Sequence, residues 1–250
     1  MINLDKEPTE SKSGIDRELT EKKTQEFKQE LFDLQNLLFA ENKRSLLIIL
    51  QGLDASGKDG TIRHVFSSMN PMGIKVKAFK TPTAEERSYD FLRRVHLHTP
   101  ARGMIQIFNR SHYEEILMPS VHKTLDKEQI AKRYDIINSF EQNLKENGTV
   151  ILKFFLHISK KEQTKRIKER LTDLRKKWKY DPADQREALF WNDFMREYEK
   201  IFERCSPSLP WLIVPSDQKW YRNYIIAKEI ASTLKGLKMK YPESGESKEM

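Results

Sequence analysis

Gly52-Leu53-Asp54-Ala55-Ser56-Gly57-Lys58-Asp59-Gly60 carries the GxxxxGK spacing of a phosphate-binding loop. Gly52, Gly57 and Gly60 let a backbone wrap an anion closely. The amides from Ala55 through Gly57 into the next helix turn toward it, and Lys58 adds a point charge for phosphate oxygens. Two residues depart from the usual pattern. The position after the lysine, normally Ser or Thr, is Asp59, and the loop itself contains Asp54. A carboxylate beside phosphate is repulsive unless a cation such as Mg²⁺ lies between them, which makes Asp54 a candidate metal ligand or acid/base group. Asp59 fits either a ligand or a first-turn carboxylate favoured by the helix dipole.

A second chemical segment is GMIQIFNRSHYEEIL, residues 103–117. After its apolar run a P-loop protein usually places an acidic residue that holds Mg²⁺; here stands Asn109. The missing charge must come from nearby, and Glu114 and Glu115 lie one turn on. Arg110 suits a bidentate grip on an anionic oxygen. Ser111 with Glu114 also fits a helix capping box, so Glu114 has a structural reading beside the chemical one. Glu115 has none and is taken, with Asp54, as the metal pair. His96, His98 and His112 have no evident third ligand and suit packing or surface roles. Cys205 is the single cysteine, which excludes an internal disulfide.

These segments need a scaffold that presents loops at strand ends. Short apolar runs at 45–51, 74–79, 104–108, 150–156 (interrupted by Lys153) and 211–214 read as buried strands, separated by stretches long enough for crossover helices. Capping boxes are expected at Thr83/Glu86, Ser111/Glu114 and Ser159/Glu162, and a further helix start at Asp181-Pro182. A first helix should bury Phe27, Leu31, Leu34 and Leu38; a last one, from about Ser216 to Gly236, should bury Tyr224, Ile225, Ala227 and Ile230. The expectation is an α/β fold, doubly wound, on a mainly five-stranded parallel sheet. Residues 18–236 form its single domain, with a frayed polar arm at 1–17 and a polar tail at 237–250. The long stretch between the fourth and fifth strands, about 160–205, reads as a helical lid. Its stripe of Leu189, Phe190, Phe194, Tyr198 and Phe202 should pack on the body.

The chain carries 45 Lys and Arg against 37 Asp and Glu, for a net charge of +8. Residues 160–179 alone hold ten basic and three acidic side chains, or +7. That concentration, in a chain of pI ≈ 9.3, points to a polyanion site. Lys75, Lys77, Lys80, Arg93, Arg94 and Arg102 are further candidates. No apolar run approaches the ~20 residues of a membrane span, and the first residues do not resemble a secretory signal, so a cytoplasmic protein is expected.

GLDASGKDGTI, PTAEERSYDFLRRVHLHTPARG, FNRSHYEEIL, RIKERLTDLRKKWKYDPAD and PWLIVPSDQKW, taken in order, resemble the polyphosphate kinase 2 family. The resemblance implies a P-loop kinase topology and Mg²⁺-dependent phosphoryl transfer between inorganic polyphosphate and nucleotides, in a homo-oligomer. Asn109 followed by Glu114 is similar to the subgroup acting on both AMP and ADP, with guanine nucleotides an open alternative. It also implies roles: Asp54 and Lys58 for metal and phosphates; Asn109, Arg110, Glu114 and Glu115 in the second catalytic segment; and Arg166, Arg170, Lys176, Trp178 and Lys179 on the lid, facing polyphosphate with Lys80 and Arg94. Leu174, Arg93 and Ser120 depart from the family pattern, where proline, tryptophan and arginine are usual, which bears on the shape of the polyphosphate channel. Two rivals remain on sequence grounds. One is an ATP-dependent nucleotide or nucleoside kinase with a basic lid. The other is a nucleotide-gated nucleic-acid-binding module, disfavoured because its basic residues lack interleaved aromatics.

Overall fold

The computed structural model describes residues 2–175, 177–179, 181–205 and 209–243. Strand β1 (Ser45–Gln51) is buried at every position, as a near-continuous apolar run requires when helices cover both faces of a sheet. Around it lie β2 (Ile74–Ala78), β3 (Ile105–Asn109), β4 (Thr149–His157) and β5 (Trp211–Pro215), all parallel, in the order β2-β3-β1-β4-β5. The expected α/β doubly wound five-stranded parallel sheet is thus the observed one, with strand boundaries close to those read from the sequence. Successive connections leave the central strands in opposite directions. A crevice therefore opens at the carboxyl ends of β1, β3 and β4, where the loops after β1 and β3 meet.

Helices α1 (Arg17–Glu41), α2 (Lys58–Val65) and α10 (Lys219–Gly236) cover one face. Leu31 and Leu38 of α1 pack there with Leu46, Ile48, Val65, Ile226, Ile230 and Leu234. Phe27 and Leu34 are only partly buried, as are Tyr224 and Ile225 of α10. The other face carries α5 (Glu114–His122), α6 (Lys127–Glu146) and, from the lid region, α9 (Trp191–Arg204), through Tyr113, Ile116, Ile137, Phe140, Tyr198 and Phe202. The short helices α3 (Ala84–Arg87) and α4 (Arg93–His96) precede β3, and α7 (Lys160–Thr172) and α8 (Pro182–Glu187) precede α9.

Three local expectations are corrected. The Thr83/Glu86 capping box is complete, but Ser111 does not cap α5: its hydroxyl accepts from Tyr113 N and Gln51 Nε2, and Glu114 turns to Arg110 instead. The Ser159 side chain accepts from Glu162 N, yet the Glu162 carboxylate bonds Arg166 rather than closing the box. Of the apolar stripe, Phe194, Tyr198 and Phe202 pack inward, whereas Leu189 is exposed. Strand β2 is an edge strand, half exposed, whose Lys75 and Lys77 discourage pairing with another chain.

The termini are better anchored than their polarity suggests. Leu4 is buried, its amide donates to Glu199 Oε1 at 2.8 Å, and its carbonyl lies 3.1 Å from His157 Nε2. Asp217 N donates to Thr9 O at 2.9 Å and Ser11 N to Gln218 Oε1 at 3.1 Å. The arm is therefore a strap rather than a frayed end, because one leucine and its backbone bonds outweigh its polar composition. After α10, Met239 is buried and Arg44 donates to Leu237 O, so the start of the tail is packed too. Residues 244–250 lie outside the described residues. Leu4→Ala should cost about 2–3 kcal/mol and lower the melting temperature by about 5–10 °C. A loose arm would leave thermal unfolding unchanged.

Candidate active site

The loop between β1 and α2 passes through left-handed conformations at Ala55 (φ 63°) and Gly57 (φ 108°). A Cβ at Gly57 would fall 2.1 Å from Arg222 Nη1, so only glycine fits. Two buried guanidiniums account for this close approach. Arg166 Nη1 donates to the carbonyls of Ala55 and Ser56 at 3.0 and 3.1 Å, and its Nη2 to those of Ser216 and Asp217 at 2.8 Å each. Arg222 Nη1 donates to Ser56 O at 3.3 Å. Burial, with the neighbouring Arg166 charge, lowers the Arg222 pKa to about 9. Gln163 Nε2 adds a bond to Asp54 O at 3.1 Å.

Lys58, at the start of α2, is buried and donates to Gly52 O at 2.6 Å and Leu53 O at 3.1 Å. Burial and the nearby Arg110 lower its pKa to about 8, against the pull of Asp54, Glu114 and Asp59. Arg110, the first residue past β3, holds a left-handed backbone (φ 62°) with its amide on Leu50 O. Its guanidinium reaches Asp54 Oδ1 at 2.5 Å and Glu114 Oε2 at 3.3 Å. The charge of Glu114 above all, with that of Asp54, raises the Arg110 pKa further. Asn109 Nδ2 donates to Asp59 Oδ1 at 2.8 Å. The two sequence segments are thus brought together at the strand ends.

From the helices between β4 and β5, Tyr198 of α9 donates to Gln51 Oε1 at 3.3 Å. Burial raises its pKa well above that of a free phenol. Asp184 of α8 is paired with Arg170, and burial, then the Asp54 charge, raises its pKa. Glu187 lies 3.0 Å from His122 Nε2. Tyr198 and Glu187 line a cleft with Gly52, Leu53, Asp54, Arg110, Glu114, Leu117, Met118, Gln163 and Phe194.

Several expected roles change. Glu115 does not join Asp54: burial raises its pKa, and it sits between Arg94 (3.6 Å) and Arg133 (3.2 Å). Arg94 is buried within the body, donating to Lys80 O at 2.9 Å and Glu86 at 3.2 Å, and is not available as a surface contact for a polyanion. The Lys80 side chain is exposed. Arg166 belongs behind the phosphate loop rather than on the lid surface, and Arg170 is committed to Asp184. Trp178 is exposed, with Nε1 bonded to Arg175 O. Lys176 and the side chain of Lys179 lie outside the described residues. Leu174 and Arg93 are exposed; Arg93 stacks 3.5 Å from the Tyr89 ring. His112 is buried, and His98 packs on Phe79.

Among the described residues no three His, Cys, Asp or Glu side chains are grouped to hold a metal. The donor set nevertheless fits Mg²⁺ brought with phosphates, since that ion keeps several waters and takes only one or two carboxylates from the protein. Asp54 is the carboxylate beside the loop. Its charge adds to burial in raising the Asp184 pKa.

A family model for polyphosphate kinase 2 matches residues 14–242. The chain belongs to the polyphosphate kinase 2 family. It is 44% identical over 211 residues to an AMP/ADP-polyphosphate phosphotransferase of Meiothermus ruber, covering 84% of this chain and 79% of that one. It is 45% identical over 227 residues to an ADP-polyphosphate phosphotransferase of Rhodopseudomonas palustris, covering 86% and 78%. The crystal structure of polyphosphate kinase 2 from Arthrobacter aurescens superimposes with a TM-score of 0.94 at 38% identity, covering 98% of this chain and 89% of that one.

Sequence reasoning missed Arg222 and Gln163. Arg222 had a signal: it shares a four-residue spacing with Ile226, Ile230 and Leu234, all buried, so a charge was placed on the apolar face of α10. In this polyphosphate kinase 2 chain, phosphate affinity should fall as pH rises through about 8, because the uncomplexed Lys58 loses its proton there. Calorimetric titration with polyphosphate from pH 7 to 9.5 should show weakening by up to roughly tenfold per unit above that point, the limit for one linked proton. Lys58→Met should bind weakly throughout and lack that slope.

Proposed function

We propose that this protein transfers phosphoryl groups from inorganic polyphosphate to AMP and to ADP, reversibly and with Mg²⁺. The observation that carries the reading is that Asp54, Arg110 and Glu114 meet in one cleft at the strand ends, with Lys58 bonded to the carbonyls of Gly52 and Leu53 in its wall. The relatives from Meiothermus ruber and Rhodopseudomonas palustris named above supply the substrate class.

Phosphoryl transfer needs alignment and charge stabilisation more than covalent chemistry. The loop amides and Lys58 would hold the donor's terminal phosphates, with Lys58 exchanging its two carbonyl partners for phosphate oxygens. Arg110 would face the transferred group, which gains charge separation in an in-line displacement. Asp54 would hold Mg²⁺, with Asn109 and Asp59 placing a bound water. Mg²⁺, when bound, would neutralise phosphate charge. Glu114, fixed by Arg110, would order the acceptor side, in keeping with use of a monophosphate as well as a diphosphate.

Helices α7 to α9 would act as the lid, and the exposed lysines of residues 160–179 would track the polyanion. We assign the protein to the cytoplasm, as a homo-oligomer accepting adenine nucleotides, with guanine nucleotides as the alternative acceptor. Among the described residues no helix is long and apolar enough to cross a membrane.

Incubating the protein with AMP, polyphosphate and Mg²⁺, without ATP, should yield ADP and then ATP on chromatography, and chelation of Mg²⁺ should stop both. Use of ADP but never AMP would remove the dual-acceptor reading, and a requirement for ATP would remove the donor reading. Neutralising Lys176 and Lys179 together should raise the polyphosphate KM and flatten its salt dependence by roughly 0.7 in logarithmic slope per lost contact. The nucleotide KM should change little.

A further inference from the structure

Strand β4 is flanked on both sides by other strands and between its terminal Thr149 and His157 is otherwise built from apolar residues, yet Lys153 stands in its middle, between Ile49 of β1 and Trp211 of β5, and is 1% exposed. Each hydrogen of an ammonium group needs an acceptor, and this one has three. Lys153 Nζ lies 2.7 Å from Glu141 Oε2, 3.0 Å from Tyr113 Oη and 2.6 Å from the carbonyl of Cys205. The other oxygen of Glu141 accepts from Tyr113 Oη at 2.7 Å and lies 3.1 Å from His112 Nε2. Burial opposes ionisation of Glu141, but the His112 bond and the Lys153 charge outweigh it and hold the carboxyl below its ordinary value. Burial likewise keeps His112 neutral.

The partners of this pair locate its effect. His112 and Tyr113 lie between Arg110 and Glu114, the two side chains that meet in the cleft. Cys205 ends α9, the helix that returns from the lid region and brings Tyr198 to Gln51. Gln51 in turn donates to Ser111, in the same short segment. One buried ammonium therefore fastens the second catalytic segment to the root of the lid helices. An apolar side chain could fill the same volume, and a buried ion pair is weak support for stability compared with apolar packing. What an apolar residue could not do is fix the direction of the Tyr113 hydroxyl and the Cys205 carbonyl together.

We infer that Lys153 and Glu141 are positioning residues for phosphoryl transfer: their pair fixes the Arg110–Glu114 turn and the end of α9 in one register, without touching substrate. This rests on the function proposed above only in using its reaction as the readout. Interactions aimed at the transferring group affect kcat more than ground-state binding, so loosening the turn should appear in kcat.

The test compares Glu141→Gln, Lys153→Met and their combination by melting temperature and by steady-state kinetics with AMP, polyphosphate and Mg²⁺. Each single variant leaves one buried partner uncompensated and should melt lower and turn over more slowly. The double variant is neutral, close in volume, and keeps an acceptor for Tyr113. It should regain most of the lost melting temperature while kcat stays at least tenfold down and the KM for polyphosphate stays within twofold of wild type. Recovery of kcat together with melting temperature would overturn the inference and leave a purely structural pair. A kcat loss matched by a proportionate rise in both KM values would overturn it as well. Should the double variant melt as low as the singles, Tyr113→Phe decides, since it keeps the ring packing and removes only the hydroxyl. A kcat reduced severalfold at near wild-type melting temperature supports positioning, and wild-type kcat refutes it. An enzyme inactive in every form would instead count against the proposed function, a failure distinguishable by assaying the wild type first.

Discussion

The capture of phosphate-loop carbonyls by two buried guanidiniums is the constraint on which the site depends. A peptide plane holds its carbonyl and its amide in opposite directions. Fixing Ser56 O on Arg166 and Arg222 therefore turns the Gly57 amide away from them. A Cβ at Gly57 would meet the same Arg222 guanidinium, and the left-handed conformation there independently favours glycine. The loop backbone is thus shaped from behind, by side chains of two distant helices.

Arg166 also bonds the carbonyls of Ser216 and Asp217, so the loop after β5 and the base of α7 share one anchor with the phosphate loop. Asp217 extends the chain of contacts: its carboxylate accepts from Ser159 N, and its amide donates to Thr9 of the amino-terminal strap. The basic run at 160–179 thus holds two kinds of cation. In its helical stretch Arg166 is turned inward and Arg170 is held by Asp184, while the interspersed Lys160, Lys161, Lys165 and Lys168 remain exposed. A charge count over the run cannot separate the two, because an inward guanidinium and a solvated ammonium contribute equally to it.

Around the second segment, arginines and glutamates are matched in pairs. Arg110 spans Asp54 and Glu114, and Arg94 and Arg133 hold Glu115 at the start of the same helix. The two adjacent glutamates therefore part, one into the cleft and one into the body. On α5 they are consecutive and point about 100° apart, so a helix that directs one toward Arg110 must direct the other elsewhere. In this structure Glu115 is engaged by Arg94 and Arg133, while Asp54 pairs with Arg110.

Apolar runs and turn residues determined the five parallel strands, the phosphate loop at the end of the first, and the second segment at the end of the third. Those features follow from local pattern: burial on both faces demands continuous apolar residues, and a tight anion loop demands glycine. Family motifs added the chemistry, and the match over residues 14–242 agrees. Tertiary structure alone decided which polar residues face inward. Arg166, Arg222, Arg94, Lys153 and Glu141 are long, charged side chains whose types suggest solvent, yet each is buried because several acceptors or an opposite charge from distant segments converge on it. Leu4 shows the reverse case, an isolated apolar residue in a polar arm that docks because a hydrophobic site lies within reach. Such convergence joins residues as distant in the chain as Ser11 and Gln218, 207 positions apart, and no local spacing encodes it.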